Sequence, residues 1–356
     1  MKTGASLTPF GKTDRGEEVS RITLSCGALS CGMITYGGAL TTLTVPDRAG
    51  NSVDVVLGFD TLEGYVKQEK YIGALIGRHA NRIARGVFPL DGETYHLARN
   101  DGRNHLHGGL RGFDKRVWRI EDVTTREAVL ALDSPAGEEG YPGDLRVRVT
   151  YTLGEAGLKL HYEARSDADT LCNLTNHTYF NLGGHKSGTI LNQTIQLFAD
   201  SYTPADRESL PVGVVAEVAG SPMDLRRPTP IGERIDAAFD QLQWAGGYDH
   251  NWVVRGTPGF LRPAARACCE KTGVVLEVDT TLPGIQFYTG NYLSGVPDGK
   301  GGARYDCRCG FCLETQFFPN ALACPAFPAP ILRTGDTYDH TTVFRFSCLR
   351  DGRREE

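Results

Sequence analysis

Apolar and polar residues alternate with a period of two along much of this chain, in short runs bounded by glycine, proline and asparagine. In residues 146–153 the apolar positions are Val147, Val149, Tyr151 and Leu153, and in 158–164 they are Leu158, Leu160, Tyr162 and Ala164. Two such runs joined by Gly-Glu-Ala-Gly predict a β-hairpin that buries one face of each strand. Further strands are predicted over 53–57, 274–278, 285–288 and 343–346. Helical periodicity is confined to 62–70 and 235–241, a turn or two each. No Pro/Ser-rich linker or fixed repeat divides the sequence, so it reads as all-β: one large antiparallel β-sandwich domain over 1–350, with 351–356 as a disordered tail.

One predicted strand carries an unusual charge. In FCLETQFFPN, residues 311–320, alternation puts Phe311, Leu313, Thr315 and Phe317 on one face and Cys312, Glu314, Gln316 and Phe318 on the other. An ionised carboxylate is costly to bury, so Glu314 is paired, protonated or used as a proton acceptor, unless it lies on the exposed face of an edge strand.

Composition narrows the partner. With 38 Lys plus Arg against 43 Asp plus Glu, the formal charge is −5 and no long basic run occurs. That balance gives no electrostatic footprint for nucleic acid or an anionic membrane, and points to a small or neutral substrate. The sequence contains neither a membrane-length apolar run nor an apolar stretch after its basic start, which predicts a cytoplasmic protein. Ten cysteines are scattered through the chain, and Cys307, Cys309 and Cys312 include a C-x-x-C. A structural zinc site wants a second such pair or a spaced histidine pair, and neither follows, so they read as small buried side chains and no metal is expected.

Two segments, 99–113 and 133–144, are too rich in Gly, Asn, His and Asp to be core and read as functional loops. Four polar clusters and a fifth segment are candidates to stand opposite Glu314: Asn81 and Arg82 in IGRHANRIARG, His105 and His107 in NHLHGG, His177 and Tyr179 in TNHTYFNL, Asp249 in GGYDHNW, and Gln286 with Tyr288 in PGIQFYTGN. His105 and His107, two apart, share a side if the segment is extended, and hydrogen bonding suits them better than metal ligation. Amides, carboxylates, a guanidinium, imidazoles and aromatic rings, with no phosphate-cradling loop, suit a neutral polyhydroxylated ligand: a sugar.

These motifs, together with EEGYPGDL, GFCLETQ and the closing YDHTT, resemble the aldose 1-epimerase (galactose mutarotase) family, in order, over most of the chain. The resemblance implies a β-sandwich of the galactose mutarotase type, without metal or organic cofactor, that interconverts the α and β anomers of free aldohexoses as a monomer or weak homodimer. Carried over by position, it implies Glu314 as general base and His177 as general acid. Asn81, Arg82, His107, Tyr179, Asp249 and Gln286 fall where relatives contact sugar hydroxyls or support the acid, and Asp249 is expected to help keep the imidazole charged. Asn320 and Cys324 depart from the family pattern after the glutamate and put the local loop in question. Three other readings stay open: a glycosidase using Asp249 and Glu314, a non-catalytic sugar-binding protein, and a hexose-phosphate enzyme drawing on Arg78, Arg85 and Arg111.

Overall fold

Period-two alternation becomes three large antiparallel sheets in the computed structural model, which describes residues 3–349. The tail predicted over 351–356 lies outside the described residues. A nine-stranded sheet runs Arg119–Val123, Glu127–Ser134, Leu145–Leu153, Gly157–Ser166, Tyr338–Cys348, Val274–Thr280, Arg262–Cys268, Thr194–Leu197 and Thr229–Pro230 from edge to edge. A five-stranded sheet follows chain order from Gly4–Lys12 to Ser52–Asp54. The third has six strands: Tyr179–Phe180, Phe311–Gln316, Gly284–Tyr288, Asp249–Val253, Ser201–Thr203 and Ala216–Glu217. No helix among the described residues is long and apolar enough to cross a membrane.

The largest buried cluster draws on all three sheets, with Ile22, Leu24 and Leu43 from the five-stranded one, Val147, Leu160, Leu276 and Phe344 from the nine-stranded one, and Trp252, Phe287, Phe311 and Leu313 from the six-stranded one. The sandwich therefore closes by burying the apolar face of each sheet, which leaves the opposite face of the six-stranded sheet free to carry polar groups. The predicted hairpin forms with Leu153 opposite Leu158, and its two strands alternate between buried and more exposed positions.

Helix prediction fared differently at its two sites. Leu62–Lys67 is a helix, whereas 235–239 is not; helices flank it at Ile231–Arg234 and Asp240–Ala245. Phe239 is extended at φ −135° as the cap of the second, which ends at Gly246 in the left-handed region. The predicted run straddled the break.

The 133–144 loop is held by Arg78, whose side chain is buried. Its guanidinium donates to Ser134 Oγ, Thr170 Oγ1 and the carbonyls of Ser134, Pro135, Pro142 and Gly143. Planar, five-donor geometry allows one arginine to satisfy so many neutral oxygens, which a lysine cannot do. Arg78 is thus a clamp on this loop, not a free cation awaiting a phosphate. Truncation would strip several buried carbonyls at once. Arg78→Ala is expected to lower unfolding free energy by about 3 kcal/mol or more, and Arg78→Lys to recover only part, as read from urea midpoints.

Candidate active site

Register across the six-stranded sheet assembles the site. Glu314 sits directly opposite Gln286, which sits opposite Asn251; Cys312 sits opposite both Tyr288 and Tyr179, and Tyr288 opposite Asp249. Residues paired across antiparallel strands share a face, so Glu314, Gln286, Asp249, Cys312 and Tyr179 all lie on the side away from the core. The face assignment for 311–316 holds, but the strand is interior to its sheet and Glu314 is only 2% exposed. The edge-strand alternative is excluded.

His177 lies between the short strands Thr175–Asn176 and Tyr179–Phe180, anchored by main-chain bonds from its N–H to Ala74 and from Gly73 to its carbonyl. Its Nε2 is 3.7 Å from Oε1 of Glu314, and its Nδ1 is 3.4 Å from the Cys312 sulfur. The ring packs against Tyr179 at 5.0 Å, His107 at 5.2 Å and Tyr71 at 5.7 Å between centroids. These groups line a cavity of about 740 Å³ together with Asn81, Arg82, Asp249 and Glu314.

Loop conformation aims the remaining side chains. Asn81, His107 and Tyr71 all take positive φ, near 63°, 50° and 56°. Non-glycine residues hold that region at a cost, which the surrounding bonds offset. His107 and Asn81 exchange reciprocal contacts: the Asn81 N–H donates to His107 Nδ1 at 3.1 Å, and the His107 N–H donates to the Asn81 carbonyl at 3.2 Å. Alternation breaks at His107, so His105 does not share its side; His105 turns to the Ala98 carbonyl and the Tyr141 hydroxyl.

Arg82 reaches Asp101 through Nε at 2.7 Å, and the Tyr179 hydroxyl donates to the Lys70 carbonyl, leaving its ring as support beneath the imidazole. Gln286 does not line the cavity. Its amide donates to Asp249 at 2.7 Å, so it orients that carboxylate from behind. Asp249, expected to help keep the imidazole charged, accepts from Gln286, and the groups at the imidazole edges are Glu314 and Cys312.

Asn320 braces the Arg82 segment from outside the cavity: its N–H donates to the Arg82 carbonyl and its side chain accepts from the Ala84 N–H. Cys324 packs with Phe318 and Phe327. Arg85 is exposed, Arg111 stands 3.8 Å from Glu17, and neither lines the cavity. At the mouth, Glu208 accepts from Arg103 and Asn104, while Arg207 lies over the Trp244 ring. Tyr71 was not singled out in the sequence, and Cys312, although placed on the face of Glu314 by alternation, read only as a small buried side chain.

Burial sets the electrostatics. It pushes the Glu314 carboxyl well above its ordinary pKa, reinforced by Asp249 and opposed by Arg82. It pushes His177 down to about 4, against a smaller upward pull from its own main chain. Both groups are driven toward their neutral forms, the opposite of what an isolated ion pair would do.

His107, His177 and Glu314 offer ligand atoms within 4.8 Å of one another, a set that a divalent cation could test. The donor chemistry does not fit. Because His107 Nδ1 accepts the Asn81 N–H, the neutral ring carries its proton on Nε2, which makes it a hydrogen-bond donor toward the cavity instead of a metal ligand.

A family model described as "Aldose 1-epimerase" matches residues 20–345. The chain is 47% identical over 332 residues to galactose mutarotase of Homo sapiens, covering 93% of this chain and 95% of that one. It is 36% identical over 317 residues to aldose 1-epimerase of Escherichia coli (strain K12), covering 88% and 91%. Among solved structures, galactose 1-epimerase from Lactobacillus acidophilus superposes with a TM-score of 0.85 at 28% identity, covering 98% of this chain and all of that one.

A carboxyl whose pKa is raised by folding holds its proton in the folded chain after the unfolded chain has lost it. Its contribution therefore favours folding at low pH and fades as pH climbs from the unfolded value of about 4.5 toward the folded one. Glu314→Gln, which cannot ionise, is expected to stabilise the protein by on the order of 1 kcal/mol at pH 8 and by less at pH 5. Denaturant titrations at the two pH values check the sign.

Proposed function

The chain belongs to the aldose 1-epimerase family, and from that premise we propose that it exchanges the α and β anomers of free aldohexoses such as galactose and glucose, with Glu314 as base and His177 as acid. The observation that carries this reading is the 3.7 Å spacing of a carboxylate oxygen and an imidazole nitrogen facing one cavity.

Anomer exchange opens and recloses a pyranose. Glu314 takes the proton from the C1 hydroxyl, the C1–O5 bond breaks, and its electron pair, now on O5, receives a proton from Nε2 of His177. C1 becomes an aldehyde carbon. Rotation about C1–C2 presents its other face, O5 attacks, His177 recovers its proton at Nε2, and Glu314 returns one to O1. Atoms and charges balance with no further reagent.

A single proton is thus held between the two groups throughout. With the cyclic sugar it belongs on His177, and with the open chain on Glu314. The sugar-free site, in which burial raises the carboxyl and lowers the imidazole, leans toward the arrangement that accompanies the open chain. Donation by the C1 hydroxyl to the carboxylate on sugar binding works against that lean. Asn81, Arg82, His107 and Asp249 line the same cavity, which supports their holding the remaining hydroxyls, with Tyr179 packed on the imidazole and Gln286 donating to Asp249.

Polarimetry of freshly dissolved α-D-galactose and α-D-glucose tests the reading. Glu314→Gln and His177→Asn are each expected to lower kcat by about 10²- to 10⁴-fold while the protein stays folded. A Glu314→Gln protein that mutarotates at the wild-type rate would overturn the assignment. Arg82→Ala and His107→Ala should act chiefly on KM, because hydroxyl contacts made equally in ground and transition states do not alter turnover.

A further inference from the structure

Cys312 precedes Glu314 by two positions on the same strand and face, and is completely buried. Its sulfur lies 3.4 Å from Nδ1 of His177, while Oε1 of Glu314 lies 3.7 Å from Nε2 of the same ring. One strand therefore brackets both edges of the imidazole, and its repeat fixes the spacing between them.

We propose that Cys312 is a positioning residue whose sulfur accepts a hydrogen bond from Nδ1–H of His177, so that the ring gives and takes protons only through Nε2.

Two observations converge on this. Asn81 already occupies Nδ1 of His107, so the neighbouring imidazole offers a donor, not an acceptor, to the cavity. The rings of Tyr71, Tyr179 and Tyr288 limit tilting of the His177 plane, but stacking and edge contacts do not distinguish nitrogen from carbon along a ring edge. Only a polar partner can set which way round the ring sits.

Sulfur suits the task because it is weak. A carboxylate at this position would hold the imidazolium and oppose release of its proton. A buried thiol beside Glu314 and Asp249 stays protonated, and as a neutral acceptor it orients the ring without trapping charge.

The test combines ¹⁵N NMR of histidine-labelled protein with polarimetry, the kinetic arm alone resting on the proposed mutarotase activity. At neutral pH the His177 resonances, assigned by their loss in His177→Asn, are expected to show a protonated Nδ1 and a bare Nε2. Cys312→Ala should mix the two tautomers and reduce kcat by about 10- to 100-fold, with KM within about threefold of wild type. Cys312→Ser, of similar shape and able to accept, should restore the tautomer and bring kcat to within about threefold of wild type. A wild-type ring protonated at Nε2, or a Cys312→Ala protein with unchanged tautomer and kcat, overturns the proposal. Should Cys312→Ala fail to fold, a Cys312→Ser ring protonated at Nε2 overturns it equally. A wild-type protein with the expected tautomer but no mutarotation defeats the activity reading and leaves the positioning role standing.

Discussion

A carboxyl group on an interior strand, cut off from water, is the constraint around which this site is organised. Glu314 cannot ionise cheaply where it stands, since burial outweighs the help that Arg82 gives. That same penalty makes it a strong proton acceptor once a hydroxyl is presented to it. His177 experiences the complementary pressure, and the two meet because their elements converge on one cavity: a regular strand supplies the base, and the junction of two short strands supplies the acid. The apolar faces buried in the sandwich supply the rigidity against which a small separation can be held.

Local conformations of higher energy gather at this place. Tyr71, Asn81 and His107 are all left-handed, and all line the cavity. The reciprocal bonds between Asn81 and His107 fix two such residues by one another and set the tautomer of the histidine as a by-product. Further out, the Arg78 clamp performs a similar service for a loop with little regular structure, replacing a ladder of main-chain bonds by a single planar cation.

Much of this was legible in the sequence, for identifiable reasons. Strong alternation over the 146–164 hairpin left one register able to bury both apolar faces, and the same periodicity assigned Cys312, Glu314 and Gln316 to a single side. Glu314 drew notice because its neighbours are apolar. What stayed hidden depends on contacts between segments distant in the chain. Gln286 was expected to contact sugar or support the acid; its strand runs between Asn251 and Glu314, and only the folded chain shows its amide donating to Asp249 from outside the cavity lining. Asp249 was expected to help keep the His177 imidazole charged, and three-dimensional placement gave that carboxylate the Gln286 amide as its hydrogen-bond partner. His105 and His107 were expected on one side because extended backbone was assumed, and the left-handed turn at His107 removed the assumption. Arg78 is indistinguishable in sequence from a solvated arginine, since most of its partners are main-chain oxygens that no residue type announces. Phe239, extended between two helices, defeated a weak helical period.

The proton shared by Glu314 and His177 has an electrical corollary. Carboxylic acid beside imidazole and carboxylate beside imidazolium carry the same total charge, zero, so each half of the cycle creates or collapses a short dipole and leaves the monopole untouched. Dipole fields decay faster with distance than those of a lone ion, and the protein beyond the first layer of side chains has little to rearrange when the sugar opens. A sheet that is stiff and close-packed on its far side is well matched to chemistry that asks so little of its surroundings.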